Sequence, residues 1–188
     1  MAEEQVLFAG FGGQGILSMA KFLAYAAMND GKQVAWVPSY GPEMRGGTAN
    51  CLVTISDDPI ASPLTDYPDM AVILNNPSLT KFENKVKTGG TLLINTSLVH
   101  SSIQREDLNL VELPVSQLAE ELGNARGDNM ILVGACLQYS GLVKVEQAVS
   151  YMDEIFAGKS AETIRSNREA FLMGAEYIRE NWPMRVAI

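Results

Sequence analysis

The sequence predicts a three-layer α/β/α fold with a mostly parallel, mixed central sheet and a helical C-terminal part, and three observations predict it. From Val6 to about Asn95, short β-rich runs alternate with helical or loop segments, the pattern of a layered sheet. The first of these runs feeds a glycine loop that opens directly into an apolar-periodic helix. The final third shows mainly helical periodicity. At 188 residues, 47% of them apolar, the chain holds one substantial core and is too short for two large independent ones. It reads as a single domain over 1–188, with the α/β core over about 1–115 and the helical part over about 116–188.

Taken in order, Val6 to Ala9 is the first strand. A helix is expected from about Gly15 to Asn29, because Ile16, Met19, Ala20, Phe22, Leu23, Ala26 and Ala27 recur at helical spacing until Asp30-Gly31 stops it. Its wide apolar stripe implies burial against the sheet. Val34 to Val37 is then expected to return as a parallel strand through a right-handed crossover, completing a βαβ unit. Ala49 to Ser56 mixes polar and apolar residues after a long loop, so it is read as antiparallel or at a sheet edge. Met70 to Leu74 and Thr91 to Asn95 continue the sheet, and Val111 to Leu113 is its last short strand. Ser116 to Leu122, Asn129 to Gly141, Val145 to Phe156 and Glu162 to Asn181 read as helices. No linker-like block, internal repeat or low-complexity tract interrupts this order.

Composition excludes several functions. A net charge of −8 and a pI near 4.7 repel polyphosphate backbones and anionic membrane surfaces, so neither nucleic acid nor membrane is an expected partner. The N-terminal Glu3-Glu4 does not resemble a basic leader, and no apolar run reaches the roughly 20 residues that span a bilayer. A soluble, cytoplasmic protein is expected. Cys51 and Cys136 lack the short spacings of zinc or iron–sulfur ligation and are read as buried structural thiols.

Two glycine-rich segments carry the functional signal. Gly10, Gly12, Gly13, Gln14 and Gly15 follow the first strand, where a helix N-terminus offers unpaired N–H groups and partial positive charge, so an anion is the default guest. The glycines also fit the dinucleotide pattern G-x-G-x-x-G, which asks in addition for an acidic residue about 20 positions on, at the end of the second strand. That strand runs into Pro38-Ser39-Tyr40, without a carboxylate, so ordinary NAD binding is not supported. The second segment, Ser39 to Thr48, holds Tyr40, Arg45, Gly46 and Gly47. In a doubly wound sheet both loops gather at the carboxyl edge of the strands and face each other across a crevice, where Arg45 supplies a cation. Alone, Glu43 and Arg45 would be read as a surface ion pair beside a bulge.

Other machinery is missing. Walker-A loops need Gly-Lys-Ser/Thr, and Gly15 is followed by Ile16-Leu17. The thiamine diphosphate motif Gly-Asp-Gly followed by Asn finds only Gly127-Asp128-Asn129, whose position suits a helix N-cap. The single histidine, His100, lies in a Ser/Thr-rich loop with no evident partner for nucleophilic catalysis. Asp57-Asp58 and Glu120-Glu121 are adjacent in sequence and read as a turn and an exposed helix face. No catalytic residue and no metal ligand is assigned.

Together, Gly10-Phe11-Gly12-Gly13-Gln14-Gly15, Tyr40-Gly41-Pro42-Glu43-Met44-Arg45-Gly46-Gly47, Ser62-Pro63, Asp69, Asn129-Met130 and Gly134-Ala135 resemble the gamma subunit of 2-oxoacid:ferredoxin oxidoreductases. The motifs run in order through most of the chain, and the Pro-Glu-Met form of the second resembles the 2-oxoglutarate branch most. The resemblance implies an accessory or assembly role in a complex that converts 2-oxoglutarate to succinyl-CoA. Thiamine diphosphate and iron–sulfur clusters would lie on alpha, beta and delta partners that pass electrons to ferredoxin, with coenzyme A as acyl acceptor. The isolated chain would carry no redox cofactor, be inactive, and associate with copies of itself. Gly10, Gly12, Gly13, Gln14, Gly15, Tyr40, Arg45, Gly46 and Gly47 would then line a subunit interface or a coenzyme A crevice, the interface being the stronger form. The alternative is a stand-alone Rossmann-like nucleotide-binding protein.

Overall fold

The computed structural model describes residues 3–40, 48–124 and 127–182. Six strands, β1 (Glu4–Phe11), β2 (Gln33–Tyr40), β3 (Thr48–Ser56), β4 (Met70–Ile73), β5 (Thr91–Asn95) and β6 (Asn109–Leu113), form one sheet in the order β2-β3-β1-β4-β5-β6. The helices are α1 (Ile16–Asn29), α2 (Asn76–Phe82), α3 (Val115–Glu121), α4 (Asp128–Ser140), α5 (Val145–Ser150), α6 (Met152–Ile155) and α7 (Ala161–Asn181). The expected α/β class is the observed one.

Strands β1, β4, β5 and β6 pair in parallel, whereas β3 is antiparallel to both of its neighbours, β1 and β2. This corrects the expected βαβ unit. Strand β2 does run in the direction of β1, but β3 lies between them, so β2 is the edge and β3 an inner strand. The antiparallel direction expected for β3 is the observed one, but the edge position is not: of its polar residues Thr48 is exposed and Asn50 half-buried, and Thr54 is fully buried with its hydroxyl donating to the Pro63 carbonyl at 3.4 Å. Pro38, which has no N–H to give a ladder, sits in the edge strand, where that loss is tolerated.

Strand alternation divides the core. Val6, Phe8, Cys51, Val53, Met70, Val72, Leu93 and Val111 face one side, against α1, α4 and α7. Leu7, Ala9, Leu52, Ala71, Ile73, Leu92 and Ile94 face the other, covered by Leu79 and Phe82 of α2 and by Val86 and Val99 from neighbouring segments. Helix α2 was not expected from periodicity. It is short, and its signal lies in its start: Asn75 caps it, accepting from Ser78 N at 2.9 Å, with Pro77 in the first turn. The single helix expected over Val145 to Phe156 is two short helices that meet at Tyr151.

Candidate functional site

The sheet register gathers the flanks of both glycine segments on one rim. Phe11, the last residue of β1, lies opposite Thr48, the first of β3, and Tyr40, the last of β2, lies opposite Ala49. The Tyr40 side chain and residues 41–47, including Arg45, Gly46 and Gly47, lie outside the described residues.

Gln14 holds the first loop in place. Its Oε1 accepts from Phe11 N at 2.6 Å and from Asn75 Nδ2 at 3.1 Å, while Nε2 donates to the Leu74 carbonyl at 3.3 Å. The carboxamide thus ties the loop after β1 to the loop after β4. Gly10 makes room for it, since a Cβ there would stand 2.7 Å from Gln14 Oε1 and 2.7 Å from Ile16 Cδ1. Gly15 begins α1 at φ 79° without a side-chain cap, and a Cβ there would meet Asn129 Nδ2 at 2.9 Å. That close approach brings the starts of α1 and α4 together.

Between them lies a cavity of about 300 Å³ lined by Gly13, Gln14, Gly15, Leu74, Asn95, Leu98, Asp128 and Asn129. Its floor is the carboxyl end of the parallel strands, where open α/β sheets bind their ligands. Helix α4 also starts without a side-chain cap: Gly127 occupies the cap position and Asp128 the first helical one. Asp128 therefore does not cap the helix as its sequence context suggested. Burial pushes its carboxyl above the ordinary 3.8, against the pull of its own backbone N–H, and no basic side chain among the described residues pairs with it. Two uncapped helix starts favour an anion, but the Asp128 carboxylate in the same wall opposes one.

Asn75, Asn95 and Asp128 were not singled out from sequence as rim residues. The available signal was positional. Asn75 and Asn95 are polar residues closing or just following the apolar runs of β4 and β5, at the edge where ligands gather. His100 does not join the cavity; its backbone N–H donates to Asn76 Oδ1 at 2.8 Å. Cys51 and Cys136 are fully buried free thiols, each pushed up to about 12 by burial, and Cys136 Sγ lies 3.5 Å from Met70 Sδ. Among the described residues no group of three or more His, Cys, Asp or Glu is placed to hold a metal ion, and no helix is long and apolar enough to cross a membrane.

A mixed sheet whose glycine loop adjoins a small cavity at the carboxyl edge of its parallel strands defines the chain as an α/β domain. The chain belongs to the pyruvate ferredoxin/flavodoxin oxidoreductase family, whose profile matches residues 5–177. It is 38% identical over 182 residues to the ketoisovalerate oxidoreductase subunit VorA of Methanothermobacter marburgensis, covering 95% of this chain and 37% of that protein. The chain thus spans little more than a third of that relative. It is 32% identical to the 2-oxoglutarate synthase subunit KorC of Methanocaldococcus jannaschii, covering 94% of this chain and 95% of the relative. Among solved structures, the 2-oxoglutarate:ferredoxin oxidoreductase of Magnetococcus marinus, with 2-oxoglutarate, coenzyme A and succinyl-CoA bound, superposes with a TM-score of 0.85 at 25% identity, over 100% of this chain and 33% of that one.

Proposed function

We propose that this chain is the gamma-type component of a multi-subunit 2-oxoacid:ferredoxin oxidoreductase of the cytoplasm, with an assembly role and no redox cofactor of its own. The observation that carries the reading is the match to KorC along nearly the whole of both chains, since KorC is named as one subunit of a synthase. Thiamine diphosphate and iron–sulfur clusters then reside on alpha, beta and delta partners, and coenzyme A accepts the acyl group. The glycine rim, Gly10 to Gly15 with Tyr40 to Gly47, serves as the subunit contact or as one wall of the coenzyme A crevice. The Pro42-Glu43-Met44 form of the second motif supports 2-oxoglutarate as the acid, giving succinyl-CoA. The higher identity to VorA favours a second reading, a branched-chain 2-oxoacid.

The test is affinity purification of the tagged chain from its native cells under anaerobic conditions. Partner chains carrying thiamine diphosphate and iron–sulfur clusters, and ferredoxin reduction that depends on coenzyme A and a 2-oxoacid, are the expected result. Comparing 2-oxoglutarate with 3-methyl-2-oxobutanoate decides between the two acids. Recovery of the chain alone, with saturable NAD binding, would replace this reading by a stand-alone nucleotide-binding protein. In the purified complex, Arg45→Ala separates the two roles of the rim: lost acyl transfer with assembly intact marks a ligand contact, and dissociation marks a subunit contact.

A further inference from the structure

We propose that β2 is an interface between two copies of this chain, pairing antiparallel with its own counterpart across a two-fold axis at Trp36 and so joining two six-stranded sheets into one. The strand holds the outer position in the sheet, with β3 on one side and no strand on the other among the described residues. Exposed edges are ordinarily blunted with charged side chains, and Gln33–Tyr40 holds none. In a chain of net charge −8, an uncharged strip is where two like copies approach with least repulsion.

Two residues without a free N–H fix the register. Pro38 stays in the ladder opposite Cys51, so its donorless nitrogen faces away from β3, and by alternation the outward main-chain groups are those of Val34, Trp36 and Pro38. Lys32, just before the strand, gives its N–H to the Ala27 carbonyl at 3.0 Å. With Trp36 opposite Trp36 of the second copy, the two tryptophans exchange both main-chain bonds and each Val34 N–H meets a Pro38 carbonyl. The Tyr40 N–H falls opposite Lys32. Every outward donor of the strand is then matched, and Pro38 and Lys32 serve as acceptors alone. The side chains agree with this pairing. Trp36 is 41% exposed and, two residues from Val34, lies on the α1 side of the sheet. Phe22 turns one flank of α1 toward Phe156 and Phe171, which leaves Met28, 56% exposed, on the opposite flank toward β2. Trp36 and Met28 therefore border the edge with apolar surface that a second copy would cover. The strand runs about 26 Å, and the sheet with one helix layer stands about 20 Å high, so about 500 Å² per copy is covered, short of the roughly 800 Å² of a stable complex. The dimer is accordingly weak, with a dissociation constant in the micromolar range.

Sedimentation velocity of the full chain over a concentration series is expected to show a reversible monomer–dimer equilibrium. Amide exchange followed by NMR should show the Val34 and Trp36 N–H groups, open in the monomer, gaining protection as concentration rises. Trp36→Glu sets like charges opposite each other on the axis and should weaken the dimer at least about tenfold, while circular dichroism of the dilute variant still shows a folded chain. Trp36→Cys reads the register: paired Cα atoms at such a position lie about 5.5 Å apart, within disulfide reach, so mild oxidation should yield a covalent dimer. Ser39→Cys is exposed as well but three residues from the axis, and it should not cross-link. The two native thiols are buried and do not compete. A chain that stays monomeric at every concentration, a dimer that survives Trp36→Glu, or cross-linking at position 39 in place of 36 would overturn the assignment. So would Val34 and Trp36 amides protected only in the complex purified with cofactor-bearing chains, which would give the edge to a strand of another subunit. Self-association is measured on the chain alone, so its failure leaves the assembly role untouched, and failure to enter the larger complex leaves the dimer untouched.

Discussion

Gln14 Oε1 accepts a hydrogen bond from Asn75 Nδ2 at 3.1 Å, and Asn75 Oδ1 in turn accepts from Ser78 N at 2.9 Å, so one relay of two carboxamides joins the glycine loop after β1 to the start of α2. Gln14 is the fifth residue of the first glycine motif, and its polar atoms are turned inward to Phe11, Leu74 and Asn75. Its contribution to the rim is therefore to position the loop.

That inward role makes Gln14→Ala a stability mutation before it is a binding mutation. It strands the Phe11 N–H, the Leu74 carbonyl and the Asn75 amide, and the expected cost is about 1–3 kcal/mol. Asn75→Ala removes both the relay and the α2 cap, the cap alone being worth about 1 kcal/mol. Because the two share a bond, the double variant should lose less than the sum, by about 0.5 kcal/mol or more. Urea unfolding of the four proteins measures it, and strict additivity would mean that the relay carries no energy.

Much of this architecture was legible in the chain. Helix α1 and strands β1, β4 and β5 fall within a few residues of where their periodicity put them, because each buries one strong stripe or a short apolar run. The partner of each strand was less legible. Thr48, Asn50 and Thr54 gave β3 the look of an edge, yet Thr48 stays exposed at the strand's start, Asn50 is half-buried, and the Pro63 carbonyl, reaching Thr54 from a loop nine residues on, lets Thr54 lie inside. The rim was legible through its glycines, whose backbone demands are local. Asn95 and Asp128 were not, because their meaning comes from α4 arriving beside a loop more than a hundred positions earlier.

At Gly134 and Gly174 the backbones of α4 and α7 come into direct contact. A Cβ on Gly134 would stand 1.9 Å from the Phe171 carbonyl oxygen, and one on Gly174 would stand 1.9 Å from the Ile131 carbonyl oxygen. Backbone cannot yield as a side chain tip does, so α4 and α7 must separate. Gly134→Ala and Gly174→Ala are each expected to cost at least about 1–3 kcal/mol despite the gain in helix propensity. Once one alanine has forced the helices apart the second should cost less, a coupling that thermal melts of both singles and the double will show.

Three aspartates should titrate in a fixed order. The Lys32 ammonium, 2.6 Å from Asp57, and the Arg105 guanidinium beside Asp107 hold those carboxyls below the ordinary 3.8, whereas burial holds Asp128 above it. For Asp57 and Asp107, a depressed folded-state value means stability present above the unfolded pKa and lost as pH falls through the folded one. Asp128 has the opposite sign: the native state binds its proton more tightly, so stability falls as pH rises from the unfolded value through the raised folded one. Carboxyl-carbon NMR titration should place Asp128 last of the three. Asp128→Asn should stabilise the protein above that window and leave it unchanged below; equal effects at both ends would contradict the assignment.

Cys51 and Cys136 are the chain's two cysteines, and both are free, buried and held in the thiol form, each pushed up to about 12 by burial. Reaction with alkylating or disulfide reagents proceeds through the thiolate, which is scarce at pH 8 for such groups, and the reagent has no path to either sulfur in the folded chain. The native protein should therefore show neither thiol to a chromogenic disulfide at pH 8, and both on addition of denaturant. In native protein the labelling rate should follow the opening equilibrium, so that Gly134→Ala, which loosens the wall around Cys136 more than the sheet around Cys51, accelerates Cys136 first. Site-resolved mass spectrometry reads the order. Prompt labelling of Cys51 in the parent would show that β3 is exposed, and with it that the inner position of that strand between β1 and β2 is wrong.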